Sequence, residues 1–264
     1  WQNFSETMFK RLWHQGYKGR FATLRWPTKT AFNSYNTSEF IAFKSGVGAS
    51  RYFNALKARF PGDALNVAAH SMGNIVMAEA LKQQRAGGFA AINNYVAMQA
   101  AIPSHCYNPN APTLQMLVDQ EAIKPTPDTY RNYVGSTSLP ITGSMVSFYN
   151  VDDFALVGGT TAGFGTNWQI NQRDYKPDRG FGYDTDGIVS WNENPALDPL
   201  LRRNVTDPRE IMSFVARPTS RALGGDAAMG GVDLQGFGFA EQQPDHSGQF
   251  NRNIQHLQGF YQTL

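Results

Sequence analysis

The segment Ala69-His70-Ser71-Met72-Gly73 constrains the fold of this chain more than any other stretch of its sequence. It follows the mostly apolar run 65–68 and precedes residues 74–85, whose apolar positions recur at helical spacing. A small residue two positions before a serine and a glycine two positions after it permit a very sharp strand-to-helix turn. Such an elbow lifts the serine hydroxyl clear of the sheet, so the segment predicts acyl transfer through a serine nucleophile.

Three segments resemble the α/β-hydrolase superfamily, in particular bacterial lipases and esterases whose elbow is written A-H-S-M-G. The elbow is the first. Residues 21–27 (F-A-T-L-R-W-P) are similar to the strand and Trp-Pro element that precedes the elbow by one helix in some bacterial members. Residues 245–250 (D-H-S-G-Q-F) are similar to the histidine loop of the same group. The resemblance covers most of the chain and implies an α/β-hydrolase fold.

The order of predicted elements agrees with this fold class. Strands and helices alternate, which favours a mostly parallel sheet with helices on both faces. Strands are predicted at 21–26, 65–69, 92–102, 143–150 and 211–216, a short strand or an extended loop at 232–239, and further helices at 1–13, 38–60 and 251–264. We interpret residues 1–264 as a single domain with two loop-rich insertions, at about 104–142 and 158–207, that form a lid or substrate wall.

A serine nucleophile needs a base, and the base needs an acid that orients it. The histidines of the chain are His14, His70, His105, His246 and His256. The family order of serine, acid and histidine implies His246, which lies in the loop before the last helix. His70 directly precedes the serine, and its side chain is expected to point away from the side of attack.

Two neighbouring aspartates compete for the role of the acid. Asp152 and Asp153 both follow the strand predicted at 143–150, and both are also ordinary turn residues. The resembling segments place the acid three residues before a leucine, here Leu156, which favours Asp153 and keeps Asp152 as the alternative acid. Asp119 and Asp128, in the first insertion, are further candidates.

The oxyanion of an acyl-transfer reaction needs two hydrogen-bond donors. The backbone N–H of Met72, directly after the serine, is expected to be one. The family takes the second from a loop after an earlier strand, and no such segment precedes Trp1. In the family sheet that strand lies between those predicted at 21–26 and 65–69. The resemblance therefore implies that N-terminal strands are missing from this chain and that a complementing N-terminal polypeptide segment supplies one of them.

Composition excludes several classes of function. A net charge of +2 without basic runs argues against nucleic acid as a partner, and no apolar run approaches the ~18 residues of a transmembrane helix. The low charged fraction of 17% suits an apolar cleft, for which Trp168, Tyr183 and Trp191 are candidate lining residues. The alternative is that these aromatic residues anchor the second insertion to the body of the domain. No cofactor or catalytic metal is predicted, although Asp184 and Asp186 resemble part of a structural calcium loop.

The sequence thus predicts a serine hydrolase that cleaves small-molecule, lipid or polymer carboxylic esters. Amide or peptide cleavage and acyl transfer use the same residues, and a non-catalytic hydrolase-fold binding module is a different class that the fold also permits. The few charges and the many Asn, Gln and aromatic residues favour an exported protein, periplasmic or extracellular.

Overall fold

A computed structural model describes residues 2–28, 35–102, 107, 139–151, 153, 156, 223–225, 227, 231–234, 246, 250 and 261. Its helices and strands follow in the order α1 (Gln2–His14), α2 (Tyr35–Arg59), β1 (Asn66–His70), α3 (Gly73–Ala86), β2 (Asn94–Met98), β3 (Met145–Tyr149) and β4 (Val232–Asp233). A 3₁₀ turn at Leu223–Gly225 lies between β3 and β4 in the sequence.

The strands form one parallel sheet whose spatial order, β1-β2-β3-β4, is also the order along the chain. The register places His70 beside Met98 and Met98 beside Phe148. Parallel neighbours require a crossover connection, and α3 lies in the one between β1 and β2. Because the strands run in the same direction, their carboxyl ends meet at one edge, where open α/β sheets bind ligands.

Side chains of the strands alternate between two apolar layers, as the pleat of a strand requires. On one face, Tyr95 and Ala97 of β2 pack in the same cluster as residues of α2 and α3. On the opposite face, Met98 and Phe148 form a second cluster, against which Met8 of α1 packs. Helices therefore cover both faces of a parallel sheet, and the predicted fold class is confirmed.

The contact between α2 and α3 depends on Gly46. A Cβ at this position would lie 2.9 Å from the carbonyl carbon of Glu79 in α3, and closer still to the Glu79 Cβ. Gly48, in the next part of the same helix, has no atom within 4 Å of such a Cβ. The two helices thus approach each other at backbone distance at Gly46, and this contact fixes α3, whose first turn carries the elbow.

The strand predicted at 21–26 is wrong, because residues 21–28 have no regular structure. β1 pairs with β2 on one side, and no strand within the described ranges pairs with its other side. A strand forms only where a neighbour satisfies its backbone groups, and residues 21–26 have no such neighbour there. Ala68, predicted within a buried strand, is exposed for the same reason.

Other boundaries differ by a few residues. α2 begins at Tyr35, before the predicted start at 38, and Ser38 is a buried residue of its first turns. β2 is shorter than the predicted 92–102 because Gln99 leaves the extended conformation. The strand predicted at 211–216 and nearly all of both insertions lie outside the described residues. None of the described helices is long and apolar enough to cross a membrane.

Candidate active site

The predicted elbow is present at the carboxyl end of β1. Ser71 adopts φ +52°, a left-handed conformation that residues with a Cβ rarely take, and α3 begins two residues later at Gly73. The Ser71 N–H donates to the carbonyl of Met98 at 3.0 Å, which ties the turn to the end of β2. Strain of this kind persists only where the surrounding structure imposes it.

The two small residues of the elbow face each other across the turn. A Cβ added to Gly73 would lie 4.0 Å from the Cβ of Ala69, which is an ordinary van der Waals distance. The alanine that replaces the usual first glycine is therefore accommodated without crowding the start of α3.

The Asn74 side chain holds the backbone of the elbow by hydrogen bonds, a role that sequence reasoning missed. Its side chain is fully buried, and its Nδ2 donates to the carbonyls of Ala69 at 3.1 Å and Ser71 at 2.9 Å. The Tyr95 hydroxyl donates to Asn74 Oδ1 at 2.6 Å. Burial of the Tyr95 ring raises the pKa of its hydroxyl, so the group remains a donor. The available signal was a polar residue directly before the apolar residues 75–78 of the same helix.

His246 lies in hydrogen-bond contact with both Ser71 and Asp153. His246 Nε2 is 2.7 Å from Ser71 Oγ, and His246 Nδ1 is 2.7 Å from Asp153 Oδ2. A carboxylate can only accept, so the proton of a neutral imidazole lies on Nδ1, and Nε2 is left to accept the serine hydroxyl proton. The His246 side chain is 14% exposed, whereas that of Asp153 is 0% exposed.

Asp153 is placed by a tight turn after β3. Its N–H donates to the carbonyl of Asn150 at 3.1 Å, and Leu156 N–H donates to the carbonyl of Asp153 at 3.2 Å. Asp153 and Leu156 therefore belong to one local turn, and Leu156 is buried beside it. The alternative acid, Asp152, lies outside the described residues.

Gln99, at the carboxyl end of β2, is a second contact of the acid. It adopts φ +41°, is fully buried, and donates from Nε2 to Asp153 Oδ2 at 2.8 Å. The 3₁₀ turn at Leu223–Gly225 passes directly behind it: Gly224 N–H donates to the carbonyl of Ala100 at 3.0 Å. A Cβ on Gly224 would overlap the backbone of Gln99. Sequence reasoning missed Gln99, whose signal was a polar side chain in an apolar run.

His70 also lies closer to the site than the sequence indicated. It was expected to point away from the side of attack, and its ring packs against that of His246 with centroids 4.9 Å apart. Its Nε2 is 2.6 Å from the backbone carbonyl oxygen of His246. His70 thus contacts the ring and the backbone carbonyl of His246 rather than Ser71 Oγ.

The Met72 N–H lies directly after the serine, at the start of α3. The neighbouring donors are occupied: Asn74 N–H donates to the carbonyl of Ser71, and Ile75 N–H to that of Met72. The Met72 N–H makes no backbone hydrogen bond to any other described residue.

Several predicted residues lie outside the described residues. These are the cleft candidates Trp168, Tyr183 and Trp191 and the calcium candidates Asp184 and Asp186. In the part of the chain that the structure describes, no group of His, Cys, Asp and Glu side chains is arranged to hold a metal ion.

Comparison with known proteins gives one match. Residues 7–106 match the family described as alpha/beta hydrolase of unknown function (DUF900). The matched segment runs from α1 through the elbow to just beyond β2, and it ends before Asp153 and His246. Searches of curated proteins and of solved structures returned no match. The matched segment and the parallel sheet with its covering helices together support an α/β-hydrolase fold for this chain.

Proposed function

We propose that this protein is a serine hydrolase that cleaves carboxylic esters through an acyl-enzyme on Ser71. The observation that carries the proposal is the contact of three side chains from three parts of the chain, with distances of 2.7 Å from His246 to both Ser71 and Asp153. Acyl transfer requires a nucleophile, a base in contact with the nucleophile, and an acid that orients the base.

In the first half-reaction, Ser71 Oγ attacks the ester carbonyl carbon while its proton passes to His246 Nε2. The tetrahedral intermediate collapses, and the alkoxide leaves with the proton from His246. A water molecule then attacks the acyl-enzyme, His246 again takes the proton, and the carboxylic acid departs as the proton returns to Ser71 Oγ. Asp153 stabilises the imidazolium that forms twice in this cycle.

The Met72 N–H supplies one donor to the oxyanion in this proposal. It is adjacent to the nucleophile and points from the start of a helix, where N–H groups favour a negative charge. A second donor from a complementing N-terminal segment remains part of the proposal.

The strained elbow also supports a catalytic role. Three features of the site lower stability: the left-handed Ser71, the buried Asn74 and the buried carboxylate of Asp153. A binding module has no need of all three. This combination favours an enzyme over a non-catalytic hydrolase-fold module.

Hydrolysis of p-nitrophenyl esters of increasing acyl length tests the proposal, with the matching p-nitroanilides as the amide arm. We expect release of p-nitrophenol by the wild-type protein and its loss in Ser71→Ala. Equal rates in both proteins would contradict the proposal, and faster cleavage of the anilides would assign the site to amides instead.

A further inference from the structure

The contacts of His70 extend the site beyond the three residues of the proposed triad. His70 ends β1, so its backbone is held by the sheet and its neighbour is the nucleophile. Its ring lies 4.9 Å from that of His246 and meets Phe250 edge-on at 5.1 Å. Phe250 in turn packs edge-on against Phe4 of α1 at 4.8 Å. The His70 ring is therefore fixed between the sheet, the His246 loop and α1.

The hydrogen bond from His70 has a defined direction. A carbonyl oxygen only accepts, so the 2.6 Å contact places a proton on His70 Nε2, which donates to the His246 carbonyl. Burial of the ring, and then the charge of a protonated His246 beside it, lower the pKa of His70 to about 3. His70 is thus a neutral donor at neutral pH and adds no positive charge that would oppose protonation of His246.

Gln99 holds the acid that orients the base. Its Nε2 donates to Asp153 Oδ2, the same oxygen that accepts from His246 Nδ1. His246 is therefore held at three atoms: Nδ1 by Asp153, Nε2 by Ser71, and the backbone carbonyl oxygen by His70.

We propose that His70 is a positioning residue that holds the His246 backbone through its Nε2–H. The inference rests on the proposed function, because it concerns the same base and acid. His246 belongs to a loop, and its ring must keep hydrogen bonds at both nitrogens. A hydrogen bond to its own carbonyl, from a residue that the sheet fixes, restricts the rotation of this loop where the ring is attached.

The test compares His70→Phe, which keeps a ring and removes the donor, with His70→Gln, whose amide nitrogen reaches about as far as Nε2. His14→Phe is the matched control, since His14 is an exposed histidine at the end of α1. Steady-state ester hydrolysis is measured for each variant, together with thermal unfolding and the downfield proton resonance of His246 Nδ1–H.

We expect kcat of His70→Phe to fall about 10- to 100-fold with KM within about twofold of wild type, because a displaced base slows chemistry rather than binding. The downfield resonance should broaden or disappear. His70→Gln should recover most of kcat and the resonance, and His14→Phe should match wild type.

Two outcomes separate this inference from the proposed function. An active wild-type protein in which folded His70→Phe keeps its kcat and its downfield resonance overturns the positioning role and leaves the proposed function intact. A folded wild-type protein without Ser71-dependent hydrolysis overturns both. Should His70→Phe fail to fold, His70→Asn replaces it in the test, because the asparagine amide is one bond too short to reach the His246 carbonyl. A kcat of His70→Asn equal to that of His70→Gln would overturn the inference.

Discussion

The buried amide of Asn74 gives the sharpest test of how the elbow is held. Asn74→Ala removes two donated hydrogen bonds, to the carbonyls of Ala69 and Ser71, and a longer one of 3.5 Å to the carbonyl of Met98. It also leaves the Tyr95 hydroxyl without its acceptor at 2.6 Å. Each neutral hydrogen bond is worth about 1 kcal/mol net, and a buried donor that loses its partner costs about 1–3 kcal/mol. The free energy of unfolding should therefore fall by about 3–5 kcal/mol.

Urea denaturation followed by tryptophan fluorescence measures this loss. Asn66→Ala is the matched control, because Asn66 is an exposed asparagine of β1 that is hydrogen-bonded to exposed Asn94. The free energy of unfolding of Asn66→Ala should stay within about 0.5 kcal/mol of wild type, as for surface substitutions in general. A loss below about 1 kcal/mol for Asn74→Ala would refute the reasoning, because a buried network cannot be removed so cheaply.

Asp153→Asn should leave the protein folded and lower kcat/KM for esters by about 10³- to 10⁴-fold, since the amide favours the wrong tautomer of His246; a loss under tenfold would contradict the assignment. Gly46→Ala should destabilise the fold by about 1–3 kcal/mol, because the added methyl group overlaps Glu79. Gly48→Ala has open space around it and should stabilise the fold by about 0.5–1 kcal/mol. Equal melting temperatures of the two variants would show that α2 and α3 are not in backbone contact. His70 has a folded-state pKa of about 3, below its ordinary 6.5, so the unfolded chain binds the proton first and the folded state loses stability as pH falls. His70→Gln should therefore lose less stability than wild type between about pH 7 and about pH 4.5, measured by urea unfolding against pH, and parallel curves would contradict the lowered pKa.

The elbow and the fold class could be predicted because local rules determine them. Strand residues, small residues around Ser71 and a helical pattern lie within 20 positions of one another, and each favours the same turn. The alternation of elements then indicated the parallel sheet, which the structure and the family match confirm.

The strand at 21–26 could not be excluded from sequence, since a strand depends on its neighbour as well as on its own residues. Its apolar and aromatic composition fits a pleated surface, yet residues 21–28 have no regular structure and pair with none of the described strands. The exposed Ala68 reflects the same tertiary cause.

Gln99, Asn74 and His70 were missed for a different reason. Each is defined by a contact across the sheet edge, to Asp153, to Tyr95 or to the backbone of His246. No periodicity marks such residues. A polar side chain within an apolar segment is their only local sign, and it indicates burial with a partner without identifying the partner.

Reaction of the folded protein with a fluorophosphonate, followed by peptide mass spectrometry, tests the central proposal most directly. Only a serine that His246 activates should react at an appreciable rate. We predict one phosphonyl adduct, on Ser71, that is absent in Ser71→Ala and strongly slowed in His246→Ala. A folded wild-type protein whose Ser71 remains unmodified, or is modified equally fast without His246, would contradict the account.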